Sequence, residues 1–323
     1  MYDKKINQNK SMVGFSEMKD KSKNKRNSKK NNLLRNKLIA QAFENHSKGD
    51  LKTAEKYYKK FISKGFNDPK VYSNYAILCK ESLRENEALD LLIKSTDRYP
   101  DNPESHAIIS DILRSQGKLE EAQFSIEKAI NIKPDVADYH FNLGLIFIGL
   151  RILSKAIMSL QKAILINPNL IEAYLNLCSV HMDLSNFSEA ESSIKKAIKL
   201  DPNSSIAHFN LSRIYMELGK DSEAESSVKK AISIQPSFPQ AYNSLGIILK
   251  NLDKPLEAEA STRKAIELKD DYVEAYYNLG NILRFIGKKE EAIECTKKIM
   301  KIRPWSIIGS FSLNQKFEIK SSS

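Results

Sequence analysis

The sequence predicts an all-α protein, a solenoid of eight helical hairpins of 34 residues each. Three observations predict it. At a shift of 34 residues alanine recurs without a miss, at Ala54, Ala88, Ala122, Ala156, Ala190, Ala224, Ala258 and Ala292. A small residue recurs in the same register at Ala42, Ala76, Ser110, Gly144, Cys178, Ser212, Gly246 and Gly280. Proline closes six units, at Pro100, Pro134, Pro168, Pro202, Pro236 and Pro304. Counting back from those prolines fills residues 35–306 with units at 35–68, 69–102, 103–136, 137–170, 171–204, 205–238, 239–272 and 273–306.

Each unit reads as two amphipathic helices. In the fifth, Tyr174, Leu177, Cys178, His181 and Leu184 fall on one stripe at spacings of three and four. After a break at Ser185 and Asn186, a second stripe carries Ala190, Ile194, Ala197 and Ile198. The small residues at the eighth and twentieth positions of a unit let its helices approach where larger side chains would overpack the contact. Pro69, Pro103 and Pro239 stand at the first position, where a helix N-terminus tolerates proline. Gly49, Gly117, Gly219 and Gly287 stand in the turn between the helices.

Composition agrees with this plan. Glycine and proline number only 11 and 10 in 323 residues and aromatics make up 8%, a profile that favours helices over a strand-rich sandwich. The formal charge of +11 is uneven. Residues 1–34 carry ten Lys/Arg against three Asp/Glu, and the repeats are close to neutral. That stretch is expected to be a disordered basic tail, and residues 307–323 a C-terminal cap or tail. No apolar run reaches about 18 residues, and the N-terminus lacks a signal-peptide core. Cys79, Cys178 and Cys295 form no CxxC pair, so a cytoplasmic, reducing location is expected.

The pattern aromatic-x-x-Leu-Gly/Ala-x-x-Tyr, then Ala, Ala and Pro, resembles the tetratricopeptide repeat. Residues 275–304, AYYNLGNILRFIGKKEEAIECTKKIMKIRP, are a near-consensus copy. The resemblance covers about five-sixths of the chain and implies a right-handed superhelix whose first helices line the concave face. The first unit departs most, with Phe66 in place of the closing proline and Phe61 in place of a small residue, as a terminal repeat can. The seventh has Asp270 in place of proline, leaving its exit turn least defined.

The resemblance points the second, fifth, sixth, ninth and twelfth positions into the groove. Position six holds Asn74, Asn142, Asn176, Asn210 and Asn278. This is similar to the asparagine ladder inside the superhelix of O-GlcNAc transferase-like proteins, where amides bond the backbone of an extended peptide. An Asn amide offers donor and acceptor together, matching a peptide group without regard to sequence. The same asparagines can instead bond neighbouring backbone or water, and the sequence leaves both readings open. Five such bonds at a net ~1 kcal/mol each total roughly 5 kcal/mol, of which ordering a partner consumes about 2–5. Further affinity is expected from Phe141, Leu145, Leu175, Phe209, Ile247 and Tyr277 at positions five and nine, apolar groups on a nominally open face. Glu104, Asp111, Asp138 and Glu172 make the N-terminal part mildly negative, so a basic, apolar segment is expected there. The clamp by which some family members grip carboxylates is not evident, since no unit has Lys at five and none has Arg at six.

Other signals weigh less. Lysine fills position 26 of all eight units, from Lys60 to Lys298, but acidic partners at i,i+4 on the same face make a solvated surface the better reading. His106, His140 and His208 share position four and read as packed core, with no metal-ligand spacing beside them. No phosphate loop, nucleophile elbow or catalytic carboxylate pair is present, and no cofactor or small-molecule substrate is expected. The sequence therefore predicts a non-catalytic scaffold or adaptor for a protein or peptide segment. A recognition subunit for a separate glycosyltransferase or sulfotransferase is the alternative, and association with nucleic acid or anionic membrane through the tail a lesser one.

Overall fold

The computed structural model describes residues 28–303. Within them lie sixteen helices and no strand. The described residues divide into two compact units, one up to residue 150 and one from residue 151. The first holds the pairs α1 (28–47) and α2 (Leu51–Ser63), α3 (Pro69–Glu81) and α4 (Glu85–Arg98), and α5 (Pro103–Ser115) and α6 (Leu119–Ile132), then α7 (Ala137–Gly149). The second begins with α8 (Leu153–Ile166). It continues with the pairs α9 (Ile171–Asp183) and α10 (Phe187–Leu200), α11 (Ser205–Glu217) and α12 (Asp221–Ile234), α13 (Pro239–Asn251) and α14 (Pro255–Leu268), and α15 (Val273–Phe285) and α16 (Lys289–Ile302).

From the second repeat on, every first helix starts at the first position of its 34-residue unit. Proline occupies the first turn of α3, α5, α13 and α14, where the missing N–H costs no hydrogen bond. Asp50, Asp68 and Ser204 cap their helices by accepting from the backbone N–H of Thr53, Lys70 and Ala207. Each first helix ends through a left-handed residue at position fifteen. Four are the expected glycines, and the other four are Leu83, Arg151, Ser185 and Asp253, with φ between 57° and 61°. The N–H of the next residue then bonds back to position eleven, as Lys220 does to Tyr215 and Lys254 to Leu249, at 2.8 and 2.9 Å.

Packing follows the small-residue register. All eight recurring alanines are at most 1% exposed. Ser110 Oγ donates to the Ala122 carbonyl at 2.7 Å, tying positions eight and twenty of the third repeat. A Cβ built on Gly246 would lie 2.1 Å from Thr262 Oγ1, so that contact admits only glycine without rearrangement. Within each unit a second helix packs on its own first helix and on the next one. Adjacent first helices also touch (α3 with α5, α5 with α7, α11 with α13, α13 with α15), whereas no adjacent second helices come into comparable contact among the described residues. The first helices are thus the closely spaced layer of each unit.

Four expectations need correction or placement. Of the tail expected over 1–34, residues 28–34 are helical and continue α1. Leu34 packs on the cluster that buries Leu38 and Ala42, so the apolar stripe carries the helix back past residue 35. The departures in the first repeat compensate each other, since Phe61 and Phe66 pack with ring centroids 5.5 Å apart. In the seventh repeat a bond from the Tyr272 N–H to the Lys269 carbonyl, 3.2 Å, forms the exit turn without proline. The expected C-terminal cap, 307–323, and residues 1–27 of the tail lie outside the described residues.

Candidate functional site

The candidate residues lie on first helices in both units. In the first unit Asn74, Asn142, Phe141 and Leu145 are half-buried. Asn74 Nδ2 donates to the Lys70 carbonyl of its own helix at 2.8 Å. In the second unit Asn176, Asn210, Asn278, Leu175 and Phe209 are half-buried, and Tyr277 is exposed. Asn176 Nδ2 donates to the Glu172 carbonyl, also at 2.8 Å. Asn278 Nδ2 reaches back one repeat to Asn243 Oδ1 at 2.9 Å. Three amides of the ladder therefore already use one donor within the protein, and their Oδ1 atoms remain acceptors.

The apolar positions divide likewise. Leu175 packs beside the core of α9, α10 and α11. Phe209 meets Phe238, the last residue of the same repeat, with centroids 4.9 Å apart. Tyr277 keeps 61% of its surface exposed. Position twelve adds Met182 and Met216, both half-buried, which the asparagine register does not single out. Their spacing of seven from Leu175 and Phe209 on the same helix was the available signal.

Of the four acidic groups expected to make the entrance negative, one is paired within the protein. In the first unit Asp111 is bridged by Lys80 and by Arg114, the latter at 2.8 Å. Burial alone would raise the Asp111 pKa, but hydrogen bonds from Lys80 and Arg114 outweigh it and lower it. Its charge is already answered inside the repeat array, so of the expected acidic groups Glu104, Asp138 and Glu172 are the exposed ones.

Between repeats a second device recurs. Glu225 takes Lys229 of its own helix at 2.5 Å and Lys254 of the next repeat at 3.0 Å. Glu259 does the same with Arg263 at 2.8 Å and Lys288 at 2.9 Å, and Glu55 with Lys59 at 2.8 Å and Arg84 at 2.9 Å. Hydrogen bonds from Lys229 and Lys254 hold the Glu225 carboxyl below its ordinary pKa. The position-four histidines are neither ligands nor mere filler. His106, His140 and His208 each place Nε2 at 2.8–3.0 Å from the carbonyl of the proline six residues earlier. Among the described residues no group of three or more His, Cys, Asp or Glu side chains is placed to hold a metal ion, and no helix is long and apolar enough to cross a membrane. The three cysteines are buried and unpaired, and burial raises the thiol pKa of each.

Paired helices in a 34-residue register, with a small residue facing an alanine at each crossing, are the geometry of one family. Tetratricopeptide-repeat models match residues 137–170, 239–272 and 273–304, a second matches 181–246, and a TPR-repeat model matches 111–150. The chain is a tetratricopeptide-repeat protein. Among solved structures the APC/C hetero-tetramer Cut9-Hcn1 matches at 16% identity, over 85% of this chain and 54% of that chain, with a TM-score of 0.58. A tetratricopeptide repeat protein from Parabacteroides merdae matches at 18% identity, over 77% and 99%, with a TM-score of 0.57. MamA matches at 26% identity over 50% of this chain and 95% of that chain, with a TM-score of 0.48. At 16% and 18% identity the first two speak for the repeat fold alone. No curated protein matches the chain.

Proposed function

We propose that this tetratricopeptide-repeat protein is a non-catalytic scaffold that holds an extended or helical protein segment against the first-helix face of its repeats. The observation that carries the reading is the row of half-exposed asparagines at position six, beside apolar side chains that the repeats leave partly open. Asn74 and Asn176 each spend one amide hydrogen on their own helix, which leaves the second N–H and the Oδ1 acceptor for a peptide group. Those bonds fix register, and the apolar groups supply most of the affinity. Burying half of a Phe or Met side chain contributes on the order of 1 kcal/mol, comparable to one ladder bond.

The test is affinity capture from the native cell with the full chain and with two variants. One lacks residues 1–27. The other carries Asn142→Ala, Asn176→Ala and Asn210→Ala. Partners should survive the deletion and weaken with the triple variant while helicity stays unchanged. Partners lost on deletion and retained by the triple variant would overturn groove binding.

A further inference from the structure

We infer that the first-helix face of the second unit selects a segment carrying carboxylates as well as apolar side chains. This rests on the binding reading above and names its partner chemistry. In the second unit, positions five, six, nine and twelve of α9, α11, α13 and α15 contain three cations and no carboxylate. The cations are Arg213, Lys250 and Arg284, and all three are exposed. Among the described residues none of them makes an ion pair. Arg284 Nη1 donates only to the neutral Asn281 Oδ1, at 2.8 Å. Glu217, four residues after Arg213 and well placed in sequence to pair with it, does not.

The other cations of the array set the contrast. On the corresponding positions of the first unit, Lys80 and Arg114 share the carboxylate of Asp111, which leaves a single net positive charge. On the second helices, Lys195, Lys229 and Arg263 each pair with a glutamate one turn before. These cations have carboxylate partners within the protein, whereas Arg213, Lys250 and Arg284, grouped on the first-helix face of the second unit, have none among the described residues. Glu172 and Glu274 belong to the first turns of α9 and α15. The helix rise places position two about 10–15 Å from positions nine and twelve, so neither cancels the basic row.

The spacing adds a condition on the partner. Arg213, Lys250 and Arg284 stand on three successive first helices, and adjacent members touch. Packed helices lie about 8–10 Å apart and an extended chain advances about 3.3 Å per residue, so one helix step corresponds to about three residues of peptide. The fitting segment is extended, bears Asp or Glu about every third residue, and places apolar side chains between them against Phe209, Met216 and Tyr277. These cations occupy positions nine and twelve, not those of the carboxylate-gripping clamp, so a free C-terminus is not required.

Selection of a random twelve-residue peptide display library on the full-length protein tests this. The expected pool is enriched in Asp and Glu at spacings of three, and its binding falls with added salt. Arg213→Ser, Lys250→Ser and Arg284→Ser together should weaken the selected peptides about ten-fold, as loss of three exposed charge pairs implies, with an unchanged melting temperature. A pool that is neutral or basic, or acidic peptides that bind the triple variant equally well, overturns the inference. Peptides indifferent to Asn176→Ala, Asn210→Ala and Phe209→Ala would instead overturn the binding reading beneath it, so the two failures are distinguishable.

Discussion

His208 Nε2 stands 3.0 Å from the carbonyl oxygen of Pro202, six residues earlier in the turn that joins two repeats. A carbonyl only accepts, so Nε2 carries the hydrogen. His106 with Pro100 and His140 with Pro134 repeat the contact at 2.9 and 2.8 Å. The histidines therefore clasp the inter-repeat turn that the closing proline begins. Replacing His208 by Phe keeps the packed ring and loses the bond, and should cost about 0.5–1 kcal/mol in urea unfolding. An unchanged midpoint would mean that the ring matters only as bulk.

Two glycines at the same repeat position should respond oppositely to alanine. At Gly246 a new Cβ meets Thr262 Oγ1 at 2.1 Å and the Ala258 carbonyl at 3.2 Å, and Thr262 is itself held by a bond to that carbonyl. Gly246→Ala should destabilise by about 1–3 kcal/mol through overpacking. At Gly280 the nearest atoms are 3.6 and 3.7 Å away, ordinary contact distance. Gly280→Ala should stabilise by up to about 1 kcal/mol, the helix-propensity gain. Thermal melts of the two variants check the pair, and shifts of the same sign would contradict it.

Leu83 breaks two local rules at once, with φ at 58° and 92% of its surface exposed. A left-handed conformation costs an L-residue roughly 1–2 kcal/mol, and glycine escapes most of that. Leu83→Gly should raise stability by about 0.5–1 kcal/mol after the entropy of glycine in the unfolded chain is counted. Asp253→Gly, at φ 57°, should gain less because Asp tolerates that region better. Chemical denaturation that ranks Asp253→Gly above Leu83→Gly would show that local strain is not what separates the four non-glycine turns.

His181 is buried, and its Nδ1 has no hydrogen-bond partner among the described residues. Burial lowers its pKa, with Glu189 working weakly in the opposite sense. The folded protein thus holds this ring neutral, whereas the unfolded chain takes up a proton near the ordinary value of about 6.5. The contribution to stability is complete above that pH and is lost as pH falls through it toward the folded-state value. His181→Tyr, the residue type that Tyr215 supplies at the same position of the next repeat, should remove this part of the slope. Melting temperatures of the two proteins measured from pH 7.5 to about 5 should diverge toward acid. Parallel curves would exclude His181 as a source of pH dependence.

Much of the architecture was legible because the repeat is written redundantly. Eight copies of one alanine, each sealed in a helix crossing, announce the register far more strongly than any local propensity. The candidate face was legible only as positions. Asn74, Asn176 and Asn278 look equivalent in sequence, yet two bond their own helix and one bonds a neighbouring repeat. Which carbonyl lies within 3 Å of an amide depends on rotamer and helix spacing, and neither is encoded at a single position.

By itself the sequence determined the eight-hairpin register, the small-residue crossings and the segregation of basic charge toward the N-terminus, since each is a periodic or compositional property. Only the tertiary structure decided that Leu83, Arg151, Ser185 and Asp253 adopt the glycine conformation, because the chain must reverse at position fifteen whatever residue stands there. Only the tertiary structure divided the cations of the first helices, joining Lys80 to Asp111 of the next repeat and leaving Arg213, Lys250 and Arg284 unpaired among the described residues. Pairing across repeats requires two side chains some 30 residues apart to meet within about 4 Å, a distance set by helix packing and not by spacing along the chain.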